Sequence, residues 1–189
     1  MRLSVRWLQA SLMGVLVMSA AMTASAEPAG LAADGRALMP IILAPDASER
    51  LQAAANDLAT YLGRIAGAEF GVTAGDGSAG IVVGLASQFP ALAQGVEFAP
   101  GDSLRREEYL LRSGAERLVL LGATEIAVEH AVWDLLYRLG YRQYFPGERW
   151  EIVPSQPDLS IDVDDFEAPA YHARRIWYGS GLWDYNAEP

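Results

Sequence analysis

The sequence predicts an α/β chain of the α+β kind: a mixed β-sheet with two α-helices packed on one face. Three observations carry this. Short apolar runs at 39–43, 81–83 and 117–121 have the length and β-branched content of buried strands. Two longer segments, 47–65 and 124–139, repeat apolar residues at three- and four-residue spacing, as a helix with one buried face requires. Residues 108–121 hold two apolar runs either side of Ser113-Gly114-Ala115-Glu116, which is the pattern of a hairpin.

Taken in order, residues 27–37 are rich in Ala, Gly and Pro and read as a flexible lead-in. Residues 39–43 follow as a strand, with Pro40 suited to its beginning or to a sheet edge. The first helix has Ser48 as its N-cap, Glu49 in its first turn and Gly67 where a left-handed cap is expected. Its apolar face is Leu51, Ala54, Ala55, Leu58, Leu62 and Ile65. Residues 70–73 and 81–83 are short strands joined by a glycine-rich turn. Residues 85–106 show no sustained period and read as a surface excursion. After the hairpin, Thr124 caps a second helix that Gly140 ends. Ala131, Val132, Leu135, Leu136 and Leu139 form its main stripe, and Ile126, Trp133 and Tyr137 widen the arc, so this helix is expected to be well buried. Residues 141–145 and 150–153 are short extended pieces. Residues 159–163 alternate apolar with polar, as a strand with one wet face does.

The N-terminus carries an address. Arg2 and Arg6, an apolar run from Leu8 to Met22, and Ala24-Ser25-Ala26 have the order of a secretory signal peptide, with cleavage expected after Ala26. The run holds Gln9 and Ser11 and falls short of the roughly 20 apolar residues of a membrane span. The expected location is periplasmic or extracellular, with no membrane attachment after cleavage. The chain has no cysteine, which excludes a lipidated cleavage site, disulfides, thiolate catalysis and cysteine-held zinc. Its formal charge is −10, and the leader holds two arginines and no acid. Such a surface repels phosphate backbones, so no nucleic-acid partner is expected. The length suits one domain with its own core.

Several motifs invite chemistry. Residues 75–80 match G-x-G-x-x-G, but the loop leads into a strand and not into a helix whose amides would hold a pyrophosphate. It reads as a turn, and no cofactor is expected. Asp162, Asp164, Asp165 and Glu167 form the densest acidic cluster. The glycine and distal glutamate of a calcium loop are missing, so the expectation is a solvated strand face and no metal. His130 lies on the flank of the second helix. Paired carboxyl groups of the kind used in glycoside hydrolysis can be drawn between Glu107 and Glu108, or Glu125 and Glu129, yet none has a recognisable catalytic setting.

Three stretches carry a family resemblance. The first is Ala54, Asn56, Leu58, Tyr61 and Leu62, followed by Gly67 and Ile81-Val82-Val83-Gly84. The second is Glu108-Tyr109, then Leu121-Gly122-Ala123-Thr124, Ala131 to Leu136, and Leu139-Gly140. The third is Arg142-Gln143-Tyr144-Phe145-Pro146-Gly147, with Trp150, Ile152-Val153-Pro154 and Pro169-Ala170-Tyr171-His172-Ala173-Arg174 behind it. Together, over residues 39–181, they make the chain similar to the N-terminal domain of family 67 glycoside hydrolases, the alpha-glucuronidases. The same region resembles the second domain of family 20 beta-hexosaminidases.

The resemblance implies that a hexosaminidase-like α/β domain at 38–168 is followed by a TIM barrel, whose strand ends bear the catalytic acids. Residues 169–189 then match the start of that barrel, with 173–178 its first strand, and the chain is expected to stop short of the rest. Pro169, Tyr171 and Arg174 match a P-x-[FY]-x-x-R pattern whose arginine, in family 20, contacts the terminal sugar. Arg174, its neighbour Arg175 and the nearby Trp177 are the candidate substrate-binding residues. No catalytic residue is assigned to this chain. The implied role is an accessory domain of an exported glycoside hydrolase, with a carbohydrate substrate and a C-terminal barrel as partners. The alternatives are a free-standing carbohydrate-binding or scaffold module, and an unrelated enzyme using a metal at 162–167.

Overall fold

The computed structural model describes residues 27–171. The leader, His172, Arg174, Arg175, Trp177 and the expected barrel strand lie outside the described residues. In chain order the elements are β1 (Ala29–Ala33), β2 (Arg36–Ala37), β3 (Ile41–Leu43), α1 (Glu49–Ala66), β4 (Val72–Ala74), β5 (Gly80–Leu85), β6 (Tyr109–Gly114) and β7 (Arg117–Gly122). Then come α2 (Glu125–Arg138), β8 (Arg142–Gln143), a 3-10 turn (Glu148–Trp150), β9 (Glu151–Ile152), β10 (Leu159–Ile161) and β11 (Asp164–Glu167).

The main sheet has six strands in the order β11-β6-β7-β5-β3-β4. Strands β4, β3, β5 and β7 are mutually parallel, while β6 runs antiparallel to both β7 and β11. This is the mixed sheet with two helices that the sequence predicts. Period-2 alternation decides which side chains meet the helices. Ile41, Leu43, Ile81, Val83, Leu111, Leu118 and Leu120 share one cluster with Leu58 and Leu62 of α1 and Val132 and Leu136 of α2. The intervening Ile42, Val82, Leu110, Val119 and Leu121 point to the opposite face. Both faces are buried, which is why these strands read as continuous apolar runs.

That second face corrects the reading of 85–106 as a surface excursion. Phe89 is buried against Ile42, Val82 and Leu121, with Leu92, Ala93, Val96 and Phe98 packed round it. The segment is an irregular cover held by turns and backbone bonds such as Leu92 N–H to Phe89 C=O. Its apolar residues follow loop geometry, so no period betrays them.

Residues 27–37 are a second correction. They form β1 and β2 of a separate three-stranded sheet, with β1 between β10 and β2. Ala29 and Leu31 are fully buried in the main core beside Leu159 and Ile161. Asp34 and Gly35 both have positive φ, 49° and 69°, making the two-residue turn in which Ala33 faces Arg36. Asp-Gly is a favoured pair for such a turn. Low side-chain volume made this strand look unstructured, yet Ala29, Leu31 and Ala32 all belong to the main core.

The helix termini follow the sequence closely. The Ser48 hydroxyl accepts from the Leu51 amide at 3.3 Å, and Gly67 adopts the left-handed cap at φ 68°. Thr124 is the N-cap of α2, but its hydroxyl donates to the Arg106 carbonyl and makes no capping bond. Strand β7 passes so close beneath α2 that a Cβ on Gly122 would lie 2.5 Å from the Val128 amide nitrogen. The expected burial of Trp133 and Tyr137 does not occur: they are 38% and 57% exposed. They lie beyond the sheet, where α2 meets the hairpin of β8 and β9.

Candidate functional site

The glycine loop at 75–80 is a turn between β4 and β5, as its sequence context predicts. Asp76 accepts from the Ser78 amide at 2.9 Å, and that bond holds its carboxyl below the usual range. Gly80, at φ 97°, abuts the Pro40 carbonyl so closely that a Cβ would lie 2.8 Å from it. The loop borders a pocket of about 630 Å³ that also touches Leu38, Met39 and Glu116. Its lining sets the acids Asp76 and Glu116 beside apolar Leu38, Met39 and Ile42, and includes no helix N-terminus to receive a phosphate.

The acids singled out by sequence are distributed among separate contacts. Glu108 is buried and accepts from Arg105 at 2.7 Å through Oε1, while its Oε2 is buried without a hydrogen-bond partner. Glu107 instead faces His130, with Oε2 3.7 Å from Nδ1. Glu129 takes both forks of Arg50, and the guanidinium hydrogen bond holds its carboxyl low. Glu125 accepts from the Ser48 hydroxyl. Glu125 and Glu129, which can be paired on paper, thus bond instead to Ser48 at the N-cap of α1 and to Arg50 within it. Asp164 pairs with Arg112, and Asp165 and Glu167 share Arg138 with Asp134. Among the described residues no group of three or more His, Cys, Asp or Glu is placed to hold a metal ion.

The most organised surface lies where α1, α2 and the β8–β9 hairpin meet. Tyr61 of α1, Trp133 of α2 and Tyr141 form a ring cluster, with centroids 4.7 to 5.9 Å apart. Both tyrosine hydroxyls donate to Glu151 Oε1, at 3.2 and 3.3 Å, and Arg64 donates to Oε2 at 2.7 Å. That guanidinium bond, above all, keeps the Glu151 carboxyl below its ordinary range. Burial, aided by the Tyr61 and Glu151 contacts, pushes the Tyr141 phenol well up. Glu151 therefore rivets the hairpin to α1 and to Tyr141, three residues past the end of α2.

The hairpin holds a small pocket at its root and bare aromatics at its tip. The pocket, about 450 Å³, is lined by Trp133, Tyr137, Tyr141, Arg142, Gln143 and Tyr144. At the tip, Phe145 packs edge-on against Trp150 with centroids 5.1 Å apart. Tyr144, Phe145, Trp150 and Ile152 are each more than half exposed. Sequence reasoning found these residues as a resemblance motif but did not see a site, because only the fold brings Tyr61, Trp133 and Glu151 together. The candidates Arg174, Arg175 and Trp177 lie outside the described residues, so their geometry relative to this surface is not described.

No family model matches the sequence, and no curated protein matches it. A solved structure titled a novel family GH115 4-O-methyl-alpha-glucuronidase, BtGH115A, with specificity for decorated arabinogalactans, is similar to 70% of this chain, at TM-score 0.44 and 16% identity. The chain spans 18% of that protein's length. A likeness of this degree carries no argument about activity, and it does not single out family 67.

Proposed function

We propose that this chain is the non-catalytic N-terminal domain of an exported glycoside hydrolase of the alpha-glucuronidase kind. In this reading the bond-breaking carboxylates belong to a following barrel, and residues 169–189 begin it. Arg174, Arg175 and Trp177 contribute to its sugar-binding end. The domain packs against the barrel and shapes one rim of the cleft.

The observation that carries the reading is the hairpin tip. Tyr144, Phe145, Trp150 and Ile152 present a bare apolar surface on an arm that Glu151 and the tyrosines hold rigidly in place. Exposed aromatics gathered on a fixed arm mark a contact surface. The three-stretch resemblance and the element order support the same partner, a barrel.

The test is hydrolysis of a xylo-oligosaccharide bearing glucuronic acid, followed as free uronic acid. The chain to Pro189 should release none, while the product of the extended reading frame should release it. Turnover by the chain to Pro189 alone overturns the non-catalytic assignment.

A further inference from the structure

We propose that the pocket at the root of the β8–β9 hairpin binds a carboxylate carried on a sugar ring, a uronic acid, with Arg142 as its anchor. The inference does not depend on a barrel, because every residue it uses lies between 133 and 144.

Arg142 is half-buried, and its guanidinium is oriented before any ligand arrives. Nη1 donates to the carbonyls of Tyr137 and Tyr141 where α2 ends, the first of which also accepts from the Gly140 amide at 3.1 Å. Cζ lies over the Tyr137 ring, 3.4 Å from its centroid. One nitrogen and one face are thereby used. Among the described residues the remaining edge, Nε with Nη2, makes no hydrogen bond, and Arg142 forms no ion pair. That edge is the fork that meets the two oxygens of a carboxylate in parallel. Because packing has already fixed the side chain, little rotamer freedom remains to be lost on binding.

The neighbouring acids do not compete for it. Glu151 is held by Arg64 and two tyrosine hydroxyls, and Asp134, Asp165 and Glu167 converge on Arg138. The walls choose the rest of the ligand. Trp133 and Tyr144, both exposed, offer ring surface to the C–H faces of a pyranose, with the buried Tyr141 behind them, and Gln143 offers a carboxamide to its hydroxyls. A volume of about 450 Å³ suits one or two such rings.

The full chain is titrated with methyl glucuronide, methyl glucoside and acetylglycine by ligand-observed nuclear magnetic resonance, with circular dichroism confirming that each variant is folded. The glucuronide should bind saturably, and the glucoside at least about tenfold more weakly, the loss expected when a charge-assisted hydrogen bond is removed. Arg142→Gln should weaken the glucuronide by a similar factor, and Arg142→Lys, which keeps charge but not the fork, should not restore it fully. Added salt should weaken binding of the glucuronide and not of the glucoside. Equal binding of the glucoside, no saturable binding by the folded chain, or an unchanged Arg142→Gln variant overturns the proposal. A preference for acetylglycine overturns it in favour of a peptide carboxylate. Loss of binding in Arg174→Gln but not in Arg142→Gln also overturns it, while supporting the sugar-binding role proposed for Arg174.

Discussion

At the residue scale, a few charges tie elements to one another where apolar packing stops. Glu151 shows the principle best. A carboxylate between Arg64 and two phenols is more comfortable ionised than it is in the unfolded chain, so its folded value lies below its ordinary 4.5. A depressed carboxyl adds stability that is complete above the unfolded value and is lost as pH falls through the folded one. Glu151→Gln keeps an acceptor for the tyrosines but loses the charge that Arg64 meets. The variant should melt below wild type near pH 6, and the gap should narrow as pH falls below 4.5 and through the depressed folded value. Melting temperatures across that range check it, and a gap that widens on acidification contradicts the assignment. Glu151 was not legible in the sequence as anything but one acid among 24 in the acids' total. Its partners lie 87 and 90 positions away for Arg64 and Tyr61, and proximity of that kind has no local signature.

At the element scale, most of the fold was readable because local rules and tertiary demands agree. Ser48, Gly67 and the apolar face of α1 fall where the sequence puts them, since capping and helical spacing act within a few residues. The hairpin of β6 and β7 is equally clear, its turn shortened to Ala115 and Glu116 by strands that run on. The failures have physical causes. β1 is built of alanine and glycine, which carry little hydrophobic signal, and residues 86–106 cover a sheet without any period. Trp133 and Tyr137 counted as core on α2 because spacing cannot tell a ring under the sheet from one beyond its edge. Where an element is tightly fitted, one atom should matter. Gly122→Ala places a Cβ 2.5 Å from the Val128 amide nitrogen and 2.8 Å from the Thr124 carbonyl, which are backbone atoms that cannot rotate away. The variant should lose about 1–3 kcal/mol through overpacking, read as a lower urea midpoint. An unchanged midpoint would show that α2 does not sit so close to β7.

At the scale of the whole molecule, both faces of the main sheet are covered, and the described acids named above are mostly tied into ion pairs. Among the described residues, a prominent apolar surface is the hairpin arm, fixed at its root and bare at its tip. That arm is the surface on which the accessory-domain reading proposed above rests. The hairpin site was out of reach of sequence reasoning because it depends on long-range packing, Glu151 meeting Arg64 and Tyr61 from 87 and 90 positions away, while Arg174, Arg175 and Trp177, the site residues named there, lie outside the described residues. The most direct test of the accessory-domain reading is to sequence the genomic DNA downstream of the codon for Pro189. An open frame of several hundred codons, alternating strand and helix patterns with carboxylates at strand ends, is the predicted result. A stop codon immediately after Pro189 would contradict the reading and leave binding, at Arg142 or elsewhere, as the work of the chain alone.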